Sequence, residues 1–151
     1  MRLADHSHPD RGLILESMPR LVAMLALRLD IAGQSRMCQE DLLKIAHAGM
    51  EHAAPYEFWQ AGPCLVGLSV ARQWWADHPV LYEEFIIRYK EGNFADTITE
   101  LEAYAKAQGC TSLVISSLAQ VRKESYGRYL ERKGFTEVAR QYMKGIIQWG
   151  N

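Results

Sequence analysis

The fold of this 151-residue chain is indicated first by residues 92–109, which read GNFADTITELEAYAKAQG. Apolar side chains recur there at helical steps of four, three and four residues, at Phe94, Ile98, Leu101 and Ala105. This spacing places them on one face of a helix, with charged residues on the other faces. Gly109 lies where such a helix would end. The stretch therefore predicts an amphipathic helix that follows a glycine-containing loop.

The segments on both sides of this helix have the composition of strands. Before it, 56–61, 64–75 and 80–89 are rich in aliphatic and aromatic residues, with turn residues between them. After it come a short strand over 111–117, a helix over 122–133 and a last strand over 135–149. Short connections predict antiparallel pairing of the first three strands. The strand–helix–strand unit over 80–117 predicts a right-handed crossover and a parallel pair, so the sheet is mixed.

The N-terminal third has a helical pattern instead. Residues 10–28 and 39–52 each place apolar side chains at three- and four-residue steps, and Pro19 predicts a break or kink near Met18. The fold class is therefore α/β (α+β), a mixed, mostly antiparallel central sheet flanked by helices. The length and the lack of a linker predict a single domain over 1–151. Its helical part covers about 10–53 and its sheet-containing part about 56–149.

Composition and charge narrow the classes of partner. The formal net charge is -1, which gives no basic surface for nucleic acid or for an anionic membrane. No apolar run has the length of a membrane span. The three cysteines are odd in number and far apart, which favours reduced thiols and a cytoplasmic location. His6 and His8 lack further ligand residues nearby, so no metal site is predicted.

The β-meander followed by strand–helix–strand–helix–strand resembles the GCN5-related N-acetyltransferase (GNAT) superfamily. Two stretches carry the resemblance: residues 92–109 are similar to the family's cofactor helix, and YLERKGF at 129–135 is similar to its final helix running into Gly-Phe. The resemblance covers mainly residues 56–147. It implies acetyl-CoA as the cofactor, no metal, and transfer of an acetyl group to an amine.

The resemblance also implies a set of site residues. Glu83 or Glu84 would be the general base, because side chains alternate along a strand and one of the two would face the cleft. The alternative is that both are solvated. Tyr126 or Tyr129 would stand in as the acid, since the family's usual tyrosine position falls on Leu130. The residues implied for the cofactor are Ile87, Arg88, Lys90, Gly92, Asn93, Phe94 and Ala95.

Three departures from the family's pattern bear on activity. Phe94 replaces the second glycine of the phosphate loop, the approach from Ile87 to Gly92 is short, and Leu130 replaces the acid. We therefore expect a GNAT-like protein with an eroded acetyl-CoA site that acts as a non-catalytic structural or docking module. The stretch RYLERKG at 128–134 resembles GNAT-like proteins of tailed phages, which implies a virion component located in the host cytoplasm or the virion. The alternative is an active N-acetyltransferase that uses acetyl-CoA to modify a small-molecule or peptide amine.

Two adjacent tryptophans, Trp74 and Trp75, fall within the predicted strand 64–75. Neighbouring strand residues face opposite sides, so one ring is expected in the core and the other exposed. An exposed ring predicts contact with a protein partner or self-association. The alternative is that the N-terminal helices cover it.

Overall fold

Five strands form one mixed sheet in the computed structural model, which describes residues 1–5, 7–31, 39–51, 57–116 and 123–138. The strands lie side by side in chain order: β1 (Arg2–Leu3), β2 (Glu57–Ala61), β3 (Cys64–Ala71), β4 (Val80–Arg88) and β5 (Ser112–Val114). The first three pairs are antiparallel and the β4–β5 pair is parallel. The predicted mixed sheet is confirmed, and β1 is an added strand that the sequence did not indicate.

The helices cover both faces of this sheet, and their bounds are α1 (Arg11–Ile31), α2 (Gln39–Met50), α3 (Phe94–Ala107) and α4 (Lys123–Arg132). Of the break or kink predicted near Met18, the break is wrong, because α1 continues through Pro19. A proline inside a helix removes one backbone hydrogen bond. Burial of Ile14, Met18 and Leu21 on both sides of Pro19 offsets that loss by packing α1 into the core.

Two clusters of buried side chains lie on opposite faces of the sheet. The first joins α1 and α2 to β2, β3 and β4 and includes Phe58, Leu65 and Ile87. The second joins α3 to the other face and includes Val66 and Leu101. Leu65 and Val66 are neighbours on β3 yet belong to different clusters, as strand alternation requires. β3 is therefore buried on both faces.

A β-bulge in β4 changes which side chains face α3. Gly67 of β3 pairs with Phe85 while Leu68 pairs with Glu83, so Glu84 is an extra residue on β4. Leu81 and Ile86 would face opposite sides of a regular strand, yet both join the cluster under α3. A Cβ atom on Gly67 would lie 2.4 Å from Cε1 of Phe85. The glycine thus leaves room for the aromatic ring at the bulge.

The prediction that one tryptophan ring is buried is wrong. β3 ends at Ala71, so Trp74 and Trp75 lie in the turn before β4, where strand alternation does not apply. Their side chains are 90% and 67% exposed, and the ring centroids are 5.2 Å apart. The predicted last strand over 135–149 is absent from residues 135–138, and its remainder lies outside the described residues. His6 and Cys38 also lie outside them.

Candidate functional site

The parallel strands β4 and β5 separate at Glu83. They pair only from Val80 opposite Ser112 to Tyr82 opposite Val114, after which β4 continues to Arg88. The next side chain on β4, that of Glu83, lies in the opening. Its Oε2 accepts a hydrogen bond from the backbone N–H of Ser116 at 3.0 Å. A side chain therefore bridges the two chain segments where the backbone ladder stops.

The environment of Glu83 changes its acidity. Burial raises the pKa of its carboxyl group from 4.5 to about 7, the Ser116 N–H opposes this shift, and the charge of Glu84 adds to it. A carboxyl group with a pKa near 7 accepts and releases protons efficiently at neutral pH. The position and the raised pKa of Glu83 support it as the candidate base.

Glu84 has a different environment, which fits the sequence expectation that the pair divides between the two faces. It is exposed, and its Oε1 accepts a hydrogen bond from Oγ of Ser69 at 2.6 Å. Ser69 pairs with Tyr82 on the sheet face opposite to that of Leu81. The carboxylate of Glu84 is thus held by a β3 hydroxyl away from the opening.

The loop before α3 contains a glycine in a conformation that other residues rarely adopt, and it ends where Asn93 caps the helix. Gly92 has φ of +152°, and a Cβ atom there would lie 2.9 Å from Cβ of Pro63. Asn93 caps α3: its Oδ1 accepts the N–H of Ala95 at 3.0 Å, and its backbone oxygen accepts the N–H of Asp96 at 3.1 Å. The first turn of α3 therefore uses acceptors from the loop itself.

The β2–β3 turn packs directly on this loop and on the start of α3. The oxygen of Pro63 accepts the N–H groups of Tyr89 at 3.1 Å and of Lys90 at 3.4 Å. Oγ1 of Thr97 donates to the Ala61 oxygen at 2.9 Å, and Gly62 donates its N–H to Glu100 at 3.1 Å. These bonds join three segments that are distant in sequence into one rigid corner.

The side chain of Lys90, predicted as a cation for the cofactor, contacts Asp10, the residue before α1. Its Nζ lies 2.5 Å from Oδ2 of Asp10, and the hydroxyl of Tyr89 donates to the same oxygen at 2.7 Å. The hydrogen bonds from Lys90 and Tyr89 lower the pKa of Asp10. Burial raises the pKa of Tyr89, and the hydrogen bond to the charged Asp10 adds to this increase. Tyr89 itself is only 4% exposed. Lys90 therefore serves a structural ion pair.

Arg88 lies on the α3 side of the sheet. It pairs with Cys64 across β3 and β4 and, together with Thr97, opposes the effect of burial on the pKa of the Cys64 thiol. Burial still leaves the pKa of Cys64 raised. Ile87, also predicted at the cofactor, turns its side chain into the α1–α2 cluster, so only its backbone could meet a ligand.

The aromatic residues of the predicted site meet each other. The Phe94 ring lies 6.0 Å from the Tyr126 ring and 5.7 Å from the Tyr129 ring, centroid to centroid. The hydroxyl of Tyr129 is buried without a hydrogen-bond partner among the described residues. Leu130, at the position of the family's acid, is 8% exposed and joins the buried side chains. The structure thus brings Phe94 together with both acid candidates.

Solved structures of similar architecture define the class of fold. A presumed acetyltransferase from Arthrobacter sp. FB24 is 15% identical with a TM-score of 0.54, covering 91% of this chain and 90% of that one. A probable acetyltransferase is 14% identical with a TM-score of 0.58, covering 88% and 94%. An integron cassette protein from the mobile metagenome of V. cholerae is 11% identical with a TM-score of 0.54, covering 85% of each chain. The chain therefore has a GNAT-like fold.

Sequence comparison adds no narrower assignment. No protein-family model matches the chain, and no curated protein matches it. Within the described ranges, no helix is long and apolar enough to cross a membrane, and no three His, Cys, Asp or Glu side chains form a group that could hold a metal ion.

Three contacts that organise the site had no recognisable signal in the sequence. Asp10, Pro63 and Ser116 lie far in sequence from the residues they contact, which are Lys90, Tyr89 and Glu83. The Gly62-Pro63 pair does indicate a turn. The contact of Pro63 with the loop before α3 arises only when β3 and β4 pair.

Proposed function

We propose that this protein transfers an acyl group from a thioester to an amine, with Glu83 as the general base. The observation that carries the proposal is the position and acidity of Glu83. Its carboxyl group lies where β4 and β5 separate and has a pKa of about 7. The resemblance to the GNAT superfamily places the thioester of the acyl donor at this opening between two parallel strands. The similarity to two presumed or probable acetyltransferases supports the same reaction class.

The chemistry follows from the side chains present. The amine nitrogen attacks the thioester carbonyl carbon, a C–N bond forms, and Glu83 accepts the proton that the nitrogen loses. The C–S bond breaks, and the departing sulfur takes a proton from a tyrosine hydroxyl. Tyr129 suits this role because its hydroxyl is buried without an acceptor among the described residues, and Tyr126 is the alternative beside it. The products are an amide and a free thiol.

The residues fit one part of acetyl-CoA and not another. The edge of β4 beyond Tyr82 faces the opening, and no strand of the described residues pairs with it there. Backbone groups along such an edge can bond the amides of a pantetheine arm. The loop at 89–96 does not fit the diphosphate in the same way, because several of its N–H groups and the Lys90 ammonium already have partners within the protein.

A second candidate is a non-catalytic module that keeps the fold for protein contacts. The Phe94 ring packed against Tyr126 and Tyr129 supports it, since aromatic contacts replace the close backbone approach that a loop glycine allows. The exposed pair Trp74 and Trp75 would then supply contacts with a partner or a second copy.

The test is acyl transfer with matched carboxylate variants. Acetyl-CoA and acetyl-pantetheine are each incubated with primary amines, including spermidine and a lysine peptide, and the acetylated amine is measured by mass spectrometry. We expect transfer that is lost at least about 100-fold in Glu83→Gln and retained in Glu84→Gln. If neither donor yields acetylated amine, and calorimetry shows no heat with either at sub-millimolar concentration, the non-catalytic module is supported.

A further inference from the structure

The loop before α3, residues 89–93, has N–H groups at both of its ends bonded within the protein, while the edge of β4 beside Glu83 has no strand partner among the described residues on its β5 side. We propose that the acyl donor is an acylated pantetheine arm that the protein recognises without the diphosphate and adenosine of CoA. This inference rests on the proposed acyl transfer and names its donor. The donor thioester supplies the acyl group, and its sulfur leaves as the thiol of pantetheine.

Four backbone N–H groups near the loop have protein acceptors. Those of Tyr89 and Lys90 donate to the oxygen of Pro63, at 3.1 and 3.4 Å. Those of Ala95 and Asp96 donate to the side chain and backbone of Asn93, at 3.0 and 3.1 Å. A diphosphate binds at a helix start through free N–H groups of this kind. A CoA diphosphate could use these four N–H groups only by displacing their internal acceptors.

The charges around the loop also oppose a diphosphate. The Lys90 ammonium is held by Asp10 on the α1 side. Glu91 and Asp96 are exposed at the loop and at the first turn of α3. Carboxylates there use the positive end of the α3 dipole and repel a second anion. Arg88 remains on the α3 side, next to Cys64.

The space at the loop is restricted as well. Pro63 lies against Gly92, where even a Cβ atom would come within 2.9 Å. A Cβ on Gly62 would lie 2.8 Å from the backbone nitrogen of Thr97, so the turn covers the first turn of α3. The Phe94 ring packs between α3 and the tyrosines of α4. The β2–β3 turn and the Phe94 ring thus lie around the loop at which a diphosphate would bind.

The opening beside β4 has the complementary properties. Within the described part of the chain, β4 has a strand partner on its β5 side only as far as Tyr82, which leaves the backbone from Glu83 to Arg88 to meet a linear ligand. Pantetheine is linear and carries amide groups that pair with a strand edge. Its thioester end would reach the Glu83 carboxyl group. The arm could arrive free or attached through a single phosphate to a carrier protein.

The experiment compares donors that differ only beyond the pantetheine arm. We expect kcat/KM for acetyl-pantetheine and acetyl-CoA to agree within about threefold, and 3′,5′-ADP at millimolar concentration to leave the rate unchanged. Two charge-assisted hydrogen bonds to a diphosphate would instead favour acetyl-CoA by about 100-fold or more. An acetylated phosphopantetheinyl carrier protein forms the third arm; a higher kcat/KM than for free acetyl-pantetheine would identify the carried arm as the source, and a lower one the free arm.

A variant in the first turn of α3 tests which feature of the protein prevents diphosphate binding. In Phe94→Gly the N–H groups of Tyr89, Lys90, Ala95 and Asp96 keep their acceptors, so the donor ratio should stay near one. A preference for acetyl-CoA of about 100-fold in the wild-type protein, or inhibition by 3′,5′-ADP, overturns the inference and leaves the acyl transfer intact. If Phe94→Gly prefers acetyl-CoA by about 100-fold and the wild type does not, the Phe94 ring excludes the diphosphate. That result overturns the explanation by internal hydrogen bonds. The absence of reaction with every donor contradicts the acyl transfer as well.

Discussion

Glu83 and Ser116 are joined across the point where β4 and β5 separate, with the carboxylate Oε2 3.0 Å from the backbone nitrogen. The bond favours the charged form of Glu83, yet burial outweighs it and raises the pKa of the carboxyl group to about 7. The folded protein therefore retains on Glu83 a proton that the unfolded chain would release at lower pH. This relationship connects the site to the stability of the fold.

The first prediction concerns the pH dependence of stability. Because the pKa of Glu83 is 4.5 unfolded and about 7 folded, the folded state binds more protons between these values, and its contribution to stability falls as pH rises through that window. The loss amounts to about 2 to 3 kcal/mol. Glu83→Gln should remove it, so urea unfolding at pH 5 and pH 8 should differ less in the variant than in the wild type.

The matched control for this measurement is Glu84→Gln, since Glu84 is the exposed neighbour of the same type. It should change the pH dependence much less than Glu83→Gln does. Equal pH dependence in the wild type and in Glu83→Gln would show that the carboxyl group titrates with its ordinary pKa.

The second prediction concerns Asp10, which accepts hydrogen bonds from Tyr89 and Lys90. Asp10→Ala should lower the free energy of unfolding by about 1 to 3 kcal/mol, because the buried Tyr89 hydroxyl loses its acceptor. Lys90→Met should cost less than about 1 kcal/mol, as for other ion pairs that remain partly in contact with water. Urea unfolding at pH 7 measures both changes. A cost for Lys90→Met that equals that of Asp10→Ala would contradict this division.

The contribution of Asp10 to stability depends on pH in the opposite direction from that of Glu83. Its pKa is lowered, first by the hydrogen bond from Lys90 and then by that from Tyr89. The contribution of Asp10 to stability is therefore present above pH 3.8, and it is lost as the pH falls through the lowered pKa of the folded state. The difference in unfolding free energy between the wild type and Asp10→Ala should shrink at pH 3.

The third prediction concerns the aromatic contact between α3 and α4. Phe94→Ala should cost about 1 to 3 kcal/mol, because the ring contacts with Tyr126 and Tyr129 are lost. Phe94→Leu should cost less, since an apolar side chain remains. Amide hydrogen exchange in α4 should rise in Phe94→Ala. Unchanged exchange there would mean that Phe94 does not hold α4 in place.

The fourth prediction uses two glycines in different surroundings. Gly67→Ala should lower the free energy of unfolding by about 1 to 3 kcal/mol, because its Cβ would meet the Phe85 ring beside the bulge. Gly12→Ala lies in α1 with open space around the new atom, and it should stabilise the protein by up to about 1 kcal/mol. Thermal and urea unfolding compare the two. Equal effects would contradict the close packing at the bulge.

The sequence determined the order and type of most elements, since hydrophobic periodicity is a local property. The stripe at Phe94, Ile98, Leu101 and Ala105 predicted α3, and the structure buries or half-buries all four residues. Leu130 was excluded as an acid from its side chain alone, and it is buried. The predicted helix break at Pro19 and the predicted burial of one tryptophan failed because other forces acted there. Packing of α1 carries the helix through Pro19, and the early end of β3 leaves both tryptophans exposed.

The tertiary structure alone decided which candidate residues lie close together and which surroundings each one has. Glu83 and Glu84 are alike in sequence, and only the β-bulge and the separation of β4 from β5 give them different surroundings. Lys90 read as a phosphate ligand until the fold brought Asp10 to it across 80 residues. The hydrogen bonds at the start of the loop before α3 depend likewise on Pro63 reaching it from the β2–β3 turn. Burial and charge pairing between distant segments set these properties, and no local pattern records them.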